Sequence, residues 1–135
     1  MAKVFKDKVL IEVDRVDGMG DFIPKEVMEK AVTEMQERMK KGTPLLITKK
    51  FSGKLSDTQG LISDIRMEGT KVLINGTILD TDQGKLVQEL MAVSEVEYAL
   101  GGHGTPKVDP ETQVRTYSDV SISSVAAVPA GEKVR

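Results

Sequence analysis

The sequence predicts an α+β domain in which a mostly antiparallel, barrel-like sheet packs against two main helices. Segments with helical periodicity and segments with strand-like alternation follow in the order strand, helix, strands, helix, strands. The strands outnumber the helices, and short turns join some of them directly. A length of 135 residues favours one domain, residues 1–135, of which residues 130–135 are expected to be a frayed tail.

The first half of the chain contains the clearer of the two helices. In residues 8–16, "KVLIEVDRV", apolar residues alternate in a way that predicts a strand burying Val9, Ile11 and Val13 on one face. A turn at "DGMGD" follows, and a helix is predicted from Pro24 to about residue 41, closed by Gly42. Three- and four-residue steps give this helix one apolar face, made of Val27, Met28, Ala31, Val32, Met35 and Met39.

The second half alternates between strands, a helix and polar segments. "PLLIT" predicts a short buried strand, and residues 61–79 predict two strands joined at Gly69, with Val72, Ile74 and Ile78 on one face of the second strand. Thr81 is a helix cap for "DQGKLVQELMAV", whose predicted apolar face contains Leu86, Val87, Leu90 and Met91. Residues 96–105, "VEYALGGHGT", are expected to be an exposed glycine-rich loop, and "GTPKVDPETQ" continues it. Residues 114–129 predict a long strand.

Composition excludes several classes of function. The chain has no cysteine and one histidine, so we expect neither a metal site nor a bound cofactor. A formal charge of -2 argues against a dedicated nucleic-acid binder, and the basic cluster of residues 38–54 is expected to be a solvated surface. No apolar run approaches the roughly 20 residues that span a bilayer, and the first residues lack a signal-peptide pattern, so we expect a protein made or assembled in the cytoplasm, without a membrane partner.

The search for catalytic side chains finds little. His103 is the only histidine that could serve a Ser/His/Asp triad, and its glycine neighbours favour a solvated loop residue instead. "DTDQGK" has the polarity of a helix cap rather than of a calcium loop. A Ser–Lys dyad is chemically possible because a buried lysine can act as a base, but the sequence indicates no particular pair.

Segments spread in order over most of the chain resemble the phage prohead maturation proteases, which share their fold with the herpesvirus assembly proteases. The segments are "GDFIPKEVMEKAV", "PLLITKKFSG", "GLISDIRMEGTKVLINGTILDTDQGKLVQELM", "VEYALGGHGT" and "SDVSISSVAAVPA". The second resembles the stretch in which those enzymes have a strand followed by His-Pro. The fourth resembles their nucleophile segment, Gly-aliphatic-Ser-Ser-Arg-Gly-x-Gly-Ser.

The departures from this family pattern fall on the catalytic positions. Ala99 lies where the family has its serine nucleophile, and Gly101 lies on the arginine that helps to form the oxyanion hole. Lys50-Phe51 falls near the His-Pro pair, whereas Gly102 and Gly104 match the motif glycines. The resemblance therefore implies a pseudoprotease with a vestigial pocket made by Lys50, Ala99, Gly101, Gly102 and Gly104, whose glycines we expect to serve a turn through positive φ or close approach.

These features predict a non-catalytic structural protein of the bacteriophage head, a capsid decoration or cement protein or a minor head protein. Its expected partners are the major capsid protein or other head proteins, its expected location is the virion, and self-association is left open. One alternative is an active prohead protease with altered chemistry, for instance through Ser94 and Lys50. Others are an assembly factor or scaffold component that is absent from the virion, and an unrelated binding domain.

Overall fold

The computed structural model describes residues 1–133, which form one mixed sheet and two α-helices. Two short 3₁₀ turns, Lys49–Phe51 and Leu55–Asp57, lie between the third and fourth strands. In chain order the elements are β1 (Lys3–Glu12), β2 (Asp21–Phe22), α1 (Lys25–Lys40), β3 (Leu45–Thr48), β4 (Thr58–Glu68), β5 (Lys71–Ile78), α2 (Asp82–Val93), β6 (Val96–Val108) and β7 (Arg115–Pro129).

The sheet is curled into a half-barrel. The strand order is β1-β5-β4-β3-β7-β2, and β6 pairs along the length of β7. The predicted antiparallel character holds for most pairs, but β2 and β3 both run parallel to β7, so the sheet is mixed. The rings of Phe5 in β1 and Tyr98 in β6 stack with centroids 4.4 Å apart. This contact brings the two ends of the sheet together.

Helix α1 fills the concave side of the sheet, as its periodicity predicts. Met28, Ala31, Val32 and Met35 are buried among the strands, whereas Val27 and Met39 are partly buried at the edge of the core. The helix follows Pro24, and the chain leaves it through Gly42, whose φ of +97° suits glycine. The prediction of this helix and of its buried face is confirmed.

The β4–β5 hairpin is also confirmed. Gly69 turns the chain with φ +62°, and Val72, Ile74 and Ile78 are all 0% exposed. Their common face points into the core because alternate residues of a strand share a side.

Two apolar residues lie on other faces than predicted. The register of β1 against β5 shifts between Val9 and Ile11, so Ile11 is buried while Val9 is 38% exposed. A bulge changes the side on which the following residues point, and this breaks the predicted alternation. In α2 the buried residues are Gly84 and Val87, whereas Leu86 is 52% exposed. Strand β1 also begins earlier than predicted, at Lys3.

Residues 130–133, the first part of the tail that is predicted to be frayed, make hydrogen bonds to the sheet. The Ala130 amide donates to the Glu95 carbonyl (3.0 Å), and the Lys133 ammonium donates to the Val9 carbonyl (2.7 Å). Residues 134 and 135, which belong to the same prediction, lie outside the described residues.

Neither α1 nor α2 is long and apolar enough to cross a membrane, and the same holds for every helix within residues 1–133.

Candidate functional site

Strand β6 carries the segment that was expected to be an exposed loop. Residues 96–108 are a continuous strand, and the pairing with β7 includes Ala99 with Ala126, Gly101 with Ser124, and Gly102 with Ile122. Glycine composition favours a turn, but here the long antiparallel ladder determines the conformation. The predicted loop at residues 96–105 and its continuation to residue 108 are therefore corrected to strand.

The β6 strand has glycines because neighbouring atoms lie too close for a side chain, and not because the backbone has positive φ there. None of Gly101, Gly102 and Gly104 is among the positive-φ residues of the described chain. A Cβ on Gly101 would lie 2.5 Å from Ser124 Oγ and 2.6 Å from Phe51 Cδ1. A Cβ on Gly102 or Gly104 would collide with the backbone carbonyl of β7 opposite it. Strand glycines of this kind mark places where another chain segment comes very near.

A cavity of about 390 Å³, which we call the Ala99 pocket, opens beside this strand. It brings β6 together with the segment after β3, the loop before β2 and the last described residues. Its lining residues are Met19, Phe51, Ala99, Leu100, Gly101, Gly102, Val128, Glu132 and Lys133. Two of the segments that the sequence assigned to one vestigial pocket therefore meet here.

The Lys49–Phe51 turn places Phe51 in the pocket through an unusual backbone. Lys50 and Phe51 both have positive φ, 53° and 58°. Beside them, the hydroxyl of buried Thr48 accepts a hydrogen bond from the Gly53 amide (3.0 Å), and the Ser124 hydroxyl donates to the Phe51 carbonyl (3.4 Å). Left-handed residues other than glycine are uncommon and need such surrounding bonds to persist.

An ion pair supports the loop that carries Met19. Asp21 is 0% exposed, and its carboxylate lies 2.6 Å from Arg115 Nε of β7. Arg115 Nη2 also donates to the Met19 carbonyl (3.1 Å), so the same guanidinium holds both the strand β2 and the loop before it. The loop can then present Met19, which is 48% exposed, to the pocket.

Lys133 forms one wall of the pocket. Burial lowers the pKa of its ammonium, and the charge of Glu97 acts in the opposite direction. A lysine with a lowered pKa is the kind of group that can act as a base, but a base needs a nucleophile within reach. Among residues 1–133, the lining of the pocket includes no serine, threonine, cysteine or histidine.

Other residues of the predicted site lie elsewhere. Lys50 is exposed and does not line the pocket; its neighbour Phe51 does. Gly104 lies farther along β6, opposite Val120. His103 is exposed and borders a different, smaller cavity. Ser94, the alternative nucleophile, ends α2 with its hydroxyl donating to the Glu95 carbonyl.

Sequence reasoning missed five pocket residues: Met19, Leu100, Val128, Glu132 and Lys133. Leu100 and Val128 reach the pocket through the antiparallel pairing of β6 with β7, Met19 through the loop before β2, and the last two through the folded-back tail, and these long-range contacts leave no local pattern. Within residues 1–133 no group of three or more His, Asp or Glu side chains is arranged to hold a metal ion.

Comparison with known proteins gives a structural match without a sequence match. No protein-family model matches the chain, and no curated protein matches it. Among solved structures, the bacteriophage T4 capsid assembly protease gp21 is similar, with a TM-score of 0.76 over 96% of each chain and 15% sequence identity. The chain therefore has the fold of a phage prohead protease.

Proposed function

We propose that this chain is a non-catalytic bacteriophage head protein, a decoration, cement or minor head protein built on a protease fold. The observation that carries the proposal is the packing of Phe51 against Gly101. The Phe51 ring lies where a side chain on residue 101 would have to begin. By the resemblance, Gly101 stands where the family has its oxyanion-hole arginine. An arginine side chain at this position would collide with the Phe51 ring.

The rest of the pocket supports the same proposal. Ala99 offers a methyl group where the resembled family has its nucleophile, and the other lining side chains are apolar except for Glu132 and Lys133. Peptide hydrolysis by this fold needs a nucleophile, a base and oxyanion donors in one place. A head protein needs only a stable surface, because repeated sites on a capsid strengthen weak contacts through multivalency.

The direct test mixes the purified chain with assembled capsid particles and with uncleaved capsid precursor. We expect the chain to sediment with the particles and the precursor to stay intact. Specific cleavage that disappears in Ser94→Ala or Lys50→Ala would contradict the proposal and favour the altered protease.

Mass spectrometry of purified particles distinguishes the proposal from an assembly factor. We expect the chain in mature virions. Its presence in proheads together with its absence from virions would assign it to the assembly factors instead.

A further inference from the structure

The turn that carries Phe51 has a backbone conformation that its side chains disfavour. Lys50 lies in the left-handed region (φ 53°, ψ 34°), and Phe51 follows it with φ 58°. In this region the Cβ of an L-residue comes close to a neighbouring carbonyl oxygen, and glycine, asparagine and aspartate tolerate it best. Two successive residues of other types persist there only because surrounding contacts offset the strain.

The contacts that offset the strain at Phe51 are few. Its ring lines the Ala99 pocket and packs against Gly101, but 43% of the residue stays exposed. The Ser124 hydroxyl donates to the Phe51 carbonyl over 3.4 Å, which is long for an O–H donor. Burying half of an aromatic ring and straining two residues contribute free energies of similar size and opposite sign. The observed conformation and one with the ring in solvent therefore lie close in free energy.

The base of the turn is held independently of Phe51. The buried Thr48 hydroxyl at the end of β3 accepts a hydrogen bond from the Gly53 amide (3.0 Å). Gly53 has φ +69°, which glycine adopts without strain. Residues 49–52 can therefore rearrange between two held ends while β3 keeps its place.

Movement of the Phe51 ring would enlarge the Ala99 pocket. The ring lies 2.6 Å from the point where a Cβ on Gly101 would begin, and Gly101 has no side chain to fill the space that the ring leaves. This space joins a cavity whose lining includes Met19, Leu100 and Val128. The group that fits it is apolar and of the size of one aromatic ring, since such a ring occupies it in the observed conformation.

We propose that residues 49–52 form a gate of the Ala99 pocket with two states. In the closed state the Phe51 ring packs against Gly101. In the open state the ring lies in solvent, and the pocket admits an aromatic side chain of a bound partner in its place. This inference goes beyond the proposed function and does not depend on it, because it concerns access to the pocket in the isolated chain.

Matched substitutions of the exposed residue Lys50 shift the gate without changing the lining of the pocket. Asparagine tolerates the left-handed region better than lysine and valine tolerates it worse, so Lys50→Asn should favour the closed state and Lys50→Val the open state. Incorporated 4-fluorophenylalanine gives three fluorine resonances, one for each phenylalanine, and Phe51→Leu identifies that of residue 51. We expect Lys50→Val to move this resonance toward its position in the unfolded chain and Lys50→Asn to move it the other way.

Lys49→Val is the control, because Lys49 is also exposed but its φ is not positive. It should leave the Phe51 resonance where it is in the parent. If Lys50→Val folds poorly, the shift between the parent and Lys50→Asn carries the test. A Phe51 resonance at one position in the parent and in both Lys50 variants would overturn the proposal.

The reactivity of a thiol at position 99 measures access to the pocket. The chain has no cysteine, so Ala99→Cys introduces a single thiol, and the probe benzyl methanethiosulfonate brings the ring of an aromatic side chain to it. We expect modification to be several-fold faster with Lys50→Val than with Lys50→Asn. Lys107→Cys, exposed on the same strand, should react equally fast in both backgrounds. Equal rates at position 99 would show that Phe51 does not control entry, and would refute the gate.

Discussion

Gly101 and Phe51 share one space, and this makes them energetically coupled. Gly101→Ala places a methyl group 2.6 Å from the Phe51 ring and 2.5 Å from the Ser124 hydroxyl. We expect the substitution to lower the free energy of unfolding by about 1–3 kcal/mol, as overpacking does. In a Phe51→Ala background the added cost should be smaller, because the ring no longer opposes the methyl group. Chemical denaturation of the double-mutant cycle measures the coupling.

His103→Ala is the matched control for that cycle. It changes an exposed residue of the same strand, so its effect should stay within about 0.5 kcal/mol. An equal cost of Gly101→Ala with and without the Phe51 ring would show that Ser124 and the β7 backbone alone account for the strain.

Restoring family residues at positions 99 and 50 should be tolerated. Ala99 borders a cavity of about 390 Å³, and Lys50 is exposed in a left-handed conformation that histidine adopts more readily than most residues. We therefore expect the double variant Ala99→Ser, Lys50→His to fold, with a circular dichroism spectrum and a cooperative melt close to those of the parent. Protease activity is not expected, because Gly101 remains. A double variant that fails to fold would count against the correspondence of these positions with the family.

Among single residues, the sequence identified pocket residues where they could be matched to the family's nucleophile motif. The resemblance selected Ala99 and Gly101, and both line the pocket. It placed Lys50 there as well, but the kinked backbone presents Phe51 and leaves Lys50 in solvent. That kink depends on side-chain hydrogen bonds from residues distant in sequence, such as Ser124, so residues 49–52 alone do not indicate it.

The helices and the β4–β5 hairpin could be predicted because their signals are local. Apolar spacing in α1, the Thr81 cap of α2 and Gly69 in the turn each act within a few residues. Strand β6 could not be predicted in this way. Its residues Gly102 and Gly104 are needed because β7 carbonyls lie too close for a Cβ, and these contacts exist only in the folded chain.

The N-terminus of α2 depends on its capping residue. The Thr81 hydroxyl accepts a hydrogen bond from the Gly84 amide (3.2 Å). Thr81→Ala leaves that amide without its side-chain acceptor, and we expect a loss of roughly 1 kcal/mol in the free energy of unfolding. Thr43→Ala serves as the control, since Thr43 is exposed beyond the end of α1. Equal denaturation midpoints for the two variants would indicate that the cap contributes nothing.

The half-barrel of the whole molecule contains distant strands that pair in parallel with β7. Within residues 1–133, β2 and β3 do so, through two short contacts, Asp21–Phe22 against Arg115–Thr116 and Ile47 against Val125. Such pairings join segments far apart in the chain, and sequence alternation reports only which face is buried, not the neighbour. The sequence therefore predicted a barrel-like sheet but not its mixed direction.

Closure of the half-barrel should make stability sensitive to high pH through Tyr98. Burial raises the pKa of this phenol to about 12, above its ordinary value of 10.0. The neutral phenol stabilises the fold below pH 10, and this contribution is lost as pH rises toward 12, because only the unfolded chain then releases the proton readily. Between these pH values the parent should lose about 2–3 kcal/mol more of its free energy of unfolding than Tyr98→Phe does.

Denaturant titrations of both proteins at several alkaline pH values measure the difference. Spectrophotometric titration at the tyrosinate band provides an independent reading, since Tyr117 is the only other tyrosine. Parallel stability curves for the parent and Tyr98→Phe would mean that the phenol ionises without opposing the fold.

Contacts near both ends of the described residues have a practical consequence for tracking this protein in particles. The Met1 ammonium lies 2.9 Å from the Asp80 carboxylate, so a tag joined to Met1 replaces a charge that forms an ion pair, and Lys133 donates to β1. The turn between β6 and β7, residues 109–114, is largely exposed and is held by its own hydrogen bonds to Asp109. A fluorophore or epitope inserted there would report the location of the protein while leaving the Met1 and Lys133 contacts in place.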